Sequence, residues 1–283
     1  MPELPEVETT ARGLRQRIVG KRVIKVCGID WPRMLPNTTA EVLRDALVGR
    51  TVEAVERRGK LLLLCCEGQV IVAVHRKMSG NLVLCDADAA PKAHTHLLLS
   101  FEHGTQLRFV DPRKFGRVYL FWSAAELEAF LNGRLGPEPL SELDEHVLGT
   151  LLRNRRGRIK PLLLDQAFLA GLGNLYADEA LWEARIHPLR TADSLAPSEV
   201  SRLAAAVRQV LALAIERRGT SLSSYRDAEG DLGENQAYLN VYGRGPSRGR
   251  PARPCPRCGT LISRLVFGQR SSHFCPECQQ LSR

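Results

Sequence analysis

Two cysteine pairs near the C-terminus, Cys255-Pro-Arg-Cys258 and Cys275-Pro-Glu-Cys278, constrain this chain more than any other feature. Sixteen residues separate the pairs. Two C-x2-C knuckles bring four thiolates to one tetrahedral point, the closed ligand set of a structural zinc rather than a catalytic one. The tail that carries them, residues 244–283, has too little core to fold alone. One bound zinc, held by Cys255, Cys258, Cys275 and Cys278, is therefore expected to supply its folding free energy. Between the pairs, Leu261-Ile-Ser-Arg-Leu-Val-Phe267, Gly268-Gln-Arg270 and Ser271-Ser-His-Phe274 read as a β-hairpin with Arg270 at its tip. A turn arginine is ordinarily just solvated. One aimed outward by a metal-fixed hairpin is also a sensible probe for a phosphate or a groove. The remaining cysteines, Cys27, Cys65, Cys66 and Cys85, sit in or beside apolar, strand-like segments and read as buried free thiols.

The tail is also basic. From Arg244 to Arg283 there are eight arginines against one acid, Glu277, a net of +7 within a chain whose net charge is +9. The run from Arg153 to Lys160 adds five positive charges and no acid. Such local excess suits a polyanion, though a solvated basic surface has the same composition. No apolar run approaches the ~20 residues that span a bilayer. The start, MPELPEVE, has neither the basic nor the apolar region of a signal peptide. A soluble intracellular protein with no membrane partner is expected.

The 283 residues allow one large domain or two of ordinary size. Residues 5–19 read as a helix: Pro5 suits a first helical position, Glu6 and Glu8 suit the positive end of its dipole, and Val7, Leu14, Ile18 and Val19 form one stripe. Short Val/Leu-rich segments follow at 22–29, 51–57, 61–66, 69–75, 81–85, 95–101, 106–110 and 115–121, the spacing of a β-sandwich or barrel-like sheet. The pattern breaks at Leu135-Gly-Pro-Glu-Pro-Leu140, and the period beyond it is helical. Val200, Leu203, Ala204, Val207, Leu211, Ala214 and Ile215 make one stripe, opened by Pro197 and closed by Gly219. Residues 220–243 then read as a long polar loop, a length typical of lids and binding segments. The expected organisation is an N-terminal domain over 1–132, a linker over 133–142, a helical domain over 143–243 and a zinc finger over 244–283.

Several motifs carry chemistry. With Met1 removed, which the small Pro2 permits, the chain starts on a secondary amine. An α-amine titrates near 7.7–8, against ~10.4 for lysine, so a useful fraction is unprotonated at neutral pH. Condensation with an aldehyde-level carbon gives an iminium, an electron sink, and Glu3 and Glu6 are near enough to move protons. Proline at position 2 is common, and the start alone does not separate this chemistry from an ordinary terminus. Lys60, in Arg57-Arg58-Gly59-Lys60, joins two strand-like segments; a lone lysine there is usually a solvated edge. His75-Arg-Lys-Met78-Ser-Gly80 and Asp111-Pro-Arg113-Lys114-Phe115-Gly116 place a Met, an Arg and a Phe on turns between strands. These are either core residues or the apolar and cationic set that fills the gap left by an extruded base. In Leu169-Ala-Gly171-Leu-Gly173-Asn174 the glycines make a tight turn into a helix whose N-terminus suits a phosphate, or an ordinary helix–turn–helix.

Taken together, the chain resembles the formamidopyrimidine-DNA glycosylase family. The resemblance covers nearly the whole length and rests on ten motifs in register: MPELPEVE, RRGK, HRKMSG, DPRKFG, LGPEPL, KPLLLDQ, GLGNLYADEAL, IHP, VYGR and the CPRC…GQR…CPEC tail. It implies an α+β fold: an N-terminal β-sandwich with a leading helix, a helix–two-turn–helix domain and a zinc-ribbon-like hairpin finger, with duplex DNA in the cleft between the halves. It implies a bifunctional glycosylase and abasic-site lyase for oxidised purines, acting on damaged double-stranded DNA as a monomer in the bacterial cytoplasm. By this match Pro2 is the nucleophile at C1′ of the damaged nucleotide. Glu3 assists sugar ring opening, Lys60 helps β-elimination, and Arg270 binds phosphates and is associated with δ-elimination. Met78, Arg113 and Phe115 match the void-filling triad, while His75, His94, Arg155 and Asn174 match DNA contacts. The loop 220–243 matches the segment that closes over the extruded base.

There are departures. Lys114 stands where the family commonly has arginine, Arg76-Lys77 replaces smaller residues after His75, and the loop is acidic for a neighbour of DNA. The sister branch resembling endonuclease VIII usually starts PEGPE and lacks this wedge triad, whereas position 4 here is Leu. A non-catalytic zinc-containing DNA-damage-binding protein would not need the set Pro2, Glu3, Lys60 and Arg270.

Overall fold

The computed structural model describes residues 1–247 and 249–281. The chain divides into two compact units, residues 1–132 with 214–236, and residues 133–213 with 237–283.

The first unit opens with α1 (Leu4–Ile18). Glu3 caps it in a reciprocal arrangement: its carboxylate accepts the Glu6 N–H, and Glu6 Oε2 accepts the Glu3 N–H at 2.8 Å. Leu4, Val7, Ala11, Leu14 and Ile18 form the buried face. Val19 was expected in that stripe, but it is 40% exposed. It is the extended residue that ends the helix, so the 3.6-residue period no longer applies to it.

Two four-stranded antiparallel sheets follow. One contains β1 (Val23–Cys27), β5 (Asn81–Asp86), β6 (Thr95–Phe101) and β7 (Thr105–Val110), in the order β1-β6-β7-β5. The other contains β2 (Val52–Arg58), β3 (Leu61–Cys66), β4 (Val70–His75) and β8 (Arg117–Phe121), in the order β2-β3-β4-β8. Alternate residues of both sheets, such as Leu62, Leu64, Val72 and Val74 against Leu97, Leu99, Leu107 and Phe109, meet α1 in one apolar cluster. This is the expected sandwich, with its leading helix packed on β2 and β3. A helix that the strand-rich pattern did not announce, α2 (Ala40–Leu47), adds Leu43, Ala46 and Leu47 to the same core. Thr39 caps α2 by accepting the Val42 N–H. A further helix, α3 (Ala124–Leu131), follows β8. Of the thiols expected to be buried, Cys66 is, whereas Cys27, Cys65 and Cys85 are half-buried; desolvation pushes the Cys65 and Cys66 thiols up to about 11 and about 12.

The second unit contains α4 (Glu145–Leu152), α5 (Ile159–Leu164), α6 (Asn174–Glu183) and most of α7 (Pro197–Glu216). It also contains the two-stranded sheet of β9 (Ser263–Phe267) and β10 (Arg270–Phe274). The period of α7 is the one the sequence predicts, with Leu203, Ala204, Val207, Leu211, Ala214 and Ile215 buried and Val200, in the first turn, half-buried. Gly219 closes it at a φ of +78°, donating its N–H to the Ala214 carbonyl.

The loop expected to belong wholly to the helical domain is divided differently. Residues up to 236 group with the sandwich, and Ala237 onward groups with the second unit. The physical reason lies at Thr220, whose N–H donates to Glu6 Oε1 at 2.8 Å, and at Ala228, whose carbonyl accepts the N–H of Leu84 on the edge strand β5.

Candidate active site and zinc finger

Arg15 Nε donates to the Val55 carbonyl, while Glu8 meets Arg57 Nε at 3.1 Å. Moving up α1 from Arg15 to Glu8 thus moves along β2 from Val55 to Arg57. The same direction leads from the N-terminal turn of the helix towards the tight β2–β3 turn, where Gly59 adopts a φ of +56°. Pro2 and Glu3 at one terminus, and Lys60 at the other, are all buried. Glu6 accepts two backbone N–H groups, from Glu3 and from Thr220.

Lys60 precedes Leu61, which pairs with His75 across β3 and β4. Burial, helped by the positive charges of Lys77, Lys60 and Arg117, depresses His75 to about 3. Its Nδ1 accepts the Lys77 N–H at 3.0 Å. The ring is therefore neutral with its proton on Nε2, a donor suited to a phosphate oxygen without a titration near neutrality. The expected result is a His75 ring signal that stays fixed between about pH 5 and 8 in an NMR titration, unlike exposed histidines. A midpoint near about 6.5 would contradict this assignment.

Two turns carry Met78, Arg113 and Phe115. Met78 and Phe115 are exposed at 45% and 43%. The Arg113 guanidinium lies 4.8 Å from the centre of the Phe115 ring. Asp111, fully buried, ties the turns together: one oxygen accepts from Ser79, the other accepts the N–H groups of Phe115 and Gly116 at 2.9 and 2.8 Å. Its own N–H donates to the carbonyl of the exposed His94. Gly116 cannot be replaced cheaply, because a Cβ there would sit 2.3 Å from the Phe109 ring. The sequence signal for Asp111 is its place: an acid opening a Pro-containing turn is the residue that would cap it.

In the second unit the four cysteine sulfurs lie within 4.8 Å of one another. A tetrahedral Zn–S distance of ~2.3 Å places sulfurs ~3.8 Å apart, so the donor set fits zinc. Trp182 Nε1 donates to Cys255 Sγ, and the Cys278 N–H to Cys275 Sγ, both at 3.4 Å. Helix α6 supplies the rest of the mounting. Asp178, with none of its side chain exposed, meets Lys160 Nζ at 2.6 Å and accepts the His273 N–H at 2.9 Å. Glu179 accepts the N–H groups of Asn240, Val241 and Tyr242. Arg257 stacks on Trp182 and pairs with Glu183. Adjacent acids inside an apolar helix were the missed signal, since such groups are buried only when paired. The turn between β9 and β10 is Gly268-Gln269, with φ of +53° and +63°, and Arg270 is exposed directly after it. Asn174, the first residue of α6, donates from Nδ2 to the Ser271 carbonyl beside Arg270. Arg155 is exposed in the basic run before α5.

Residues 1–118 match the family model of the formamidopyrimidine-DNA glycosylase N-terminal domain. Residues 135–226 match that of the formamidopyrimidine-DNA glycosylase H2TH domain, and residues 253–281 that of the zinc finger found in FPG and IleRS. The formamidopyrimidine-DNA glycosylase of Herpetosiphon aurantiacus is 45% identical over 99% of this chain and 100% of its own length. That of Roseiflexus sp. is 46% identical over 99% and 100%. Among solved structures, the Lactococcus lactis Fpg (MutM) complex with N7-benzyl-Fapy-dG DNA superposes at a TM-score of 0.90 with 39% identity, covering 99% of this chain and 100% of that one. A MutM complex with DNA containing carbocyclic 8-oxo-G gives 0.89 and 38%, with the same coverage. The sandwich, the helical unit and the four-thiolate finger define a zinc-finger DNA glycosylase. The chain belongs to the formamidopyrimidine-DNA glycosylase family.

Proposed function

We propose that this glycosylase is bifunctional, excising oxidised purines from duplex DNA and then cutting the strand through an N-terminal proline Schiff base. The observation that carries the reading is the burial of Pro2, Glu3 and Glu6 at the start of α1 and of Lys60 at the β2–β3 turn, towards which that end of the helix runs. The Pro2 nitrogen attacks C1′, the bond from C1′ to the base breaks, and the base leaves with a proton. Glu3 gives a proton to O4′ as the C1′–O4′ bond opens, which leaves an iminium. The iminium acidifies C2′–H. Lys60 assists its removal, and the 3′-phosphate departs. Loss of the C4′ proton then expels the 5′-phosphate, with Arg270 binding the phosphates. Met78, Arg113 and Phe115 fill the space vacated by the base, while His75, His94, Arg155 and Asn174 hold the backbone. The protein acts as a monomer in the bacterial cytoplasm.

The relatives bound to DNA with Fapy-dG and 8-oxo-G lesions support purine substrates. The test is nicking of duplexes that each carry one defined lesion, with analysis of both new ends. Expected are release of 8-oxoguanine and formamidopyrimidines and phosphates on both sides of a one-nucleotide gap. Preferential cutting at oxidised pyrimidines would transfer the protein to the endonuclease VIII-like reading. Binding without a borohydride-trapped adduct would make it a damage-binding protein.

A further inference from the structure

Arg76 is among the largest fully buried side chains of the described residues, at 1% exposure. A guanidinium has five N–H donors, and burying it is costly unless all are used. Here they are. Nε donates to the Gly80 carbonyl at 2.8 Å, across the turn that carries Met78. Nη1 donates to Thr10 Oγ1 at 2.7 Å and to the Glu6 carbonyl at 3.4 Å, both on α1. Nη2 donates to Asn81 Oδ1 at 2.5 Å and to the Arg226 carbonyl at 3.1 Å. The group also lies 5.1 Å from the centre of the Tyr225 ring.

Asn81 extends the grip. Its Nδ2 donates to the Ser224 carbonyl at 2.7 Å, and its Oδ1 accepts the Arg226 N–H at 3.0 Å. The next anchor is Leu84, whose N–H reaches the Ala228 carbonyl at 2.7 Å. Residues 224–228 are thereby laid along the outer edge of β5, with one side chain at the junction of three segments.

We propose that Arg76 is a positioning residue: it sets residues 224–228 against the Met78 turn and the first turns of α1 before a nucleotide arrives. The inference rests on the reading above, in which the loop 220–243 closes over the extruded base. A loop already held in its closing position removes the ordering cost from lesion capture. At an abasic site no base needs covering, so the same device contributes nothing there.

The test uses the full zinc-loaded protein. In Arg76→Leu, hydrogen exchange at the Arg226 and Leu84 amides should accelerate while the amides of β3 and β4 stay protected. Its kcat/KM on an 8-oxoguanine duplex should fall about tenfold, chiefly through KM, because the competent loop population falls by that factor. Incision and borohydride trapping at a preformed abasic site should stay within about twofold. Asn81→Ala, which removes one acceptor of the Arg76 guanidinium and leaves the other four, should show the same pattern more weakly and serves if Arg76→Leu does not fold. Unchanged exchange at residues 224–228, or equal losses on both substrates, overturns the proposal. Failure of the wild-type protein to act on any oxidised purine would sink the functional reading instead, and the exchange measurement would still decide the role of Arg76.

Discussion

An N-terminal extension, or retention of Met1, will abolish base release and strand cutting while leaving thermal unfolding unchanged. The chemistry needs a lone pair on the Pro2 nitrogen. Bonded to a preceding residue, that nitrogen is an amide, its lone pair is delocalised into the carbonyl, and no iminium can form. The fold has no need of the free amine. Met1 is 48% exposed, whereas α1 is anchored by Leu4, Val7 and the reciprocal Glu3–Glu6 cap. The loss should be roughly a thousandfold or more, the scale on which removing a nucleophile is felt. Pro2→Gly restores a primary amine after methionine removal and should retain part of the activity; Pro2→Glu should not trap. The check is borohydride trapping on abasic duplex, with the terminus of each preparation read by mass spectrometry. Full base release by a protein with an uncleaved tag would rule out the proline mechanism.

Removing zinc should have the second-largest effect. Cys275 is fully buried, and its sulfur also accepts the Cys278 N–H. In comparable small domains the metal contributes ~10–16 kcal/mol of apparent binding free energy, more than a short tail recovers from packing. Cys275→Ala, or exhaustive chelation, should bring zinc from one per chain to none and unfold the β9–β10 hairpin. The first unit has its own apolar core and should keep its melting transition. Arg270 would then lose its fixed direction. DNA affinity should fall by about a hundredfold at low salt, with a shallower salt dependence, as phosphate contacts disappear. Metal analysis, salt-dependent binding and a shift of end products towards β-elimination check this together. Intact binding by a zinc-free protein would contradict it.

Local pattern carries far in this chain. The strands of the sandwich, the period of α7 and the hairpin between the cysteine pairs follow from alternation, stripe and turn chemistry alone. What stayed hidden were the side chains whose partners are distant in sequence. Asp178 and Glu179 look like ordinary helix acids until Lys160, His273 and the backbone at 240–242 are brought to them. Arg76 looks like surface charge until Thr10, Asn81 and Arg226 surround it. Buried polar groups are defined by tertiary satisfaction, which no local window contains. The split of the loop at residue 236 has the same origin, because it depends on the Thr220 and Ala228 backbone groups finding Glu6 and Leu84.

The turn at Gly268-Gln269 makes the finger intolerant of changes in length. Phe267 faces Arg270 as the first pair of the hairpin, and pairing then runs without interruption to Ser263 and Phe274. Successive strand residues point to opposite faces, so one inserted residue would turn either Arg270 or the whole of β10 over. His273, which answers Asp178, and Phe274, packed edge-on against His187 4.5 Å away, would then face the wrong side. A single-residue insertion or deletion there breaks the mounting of the finger.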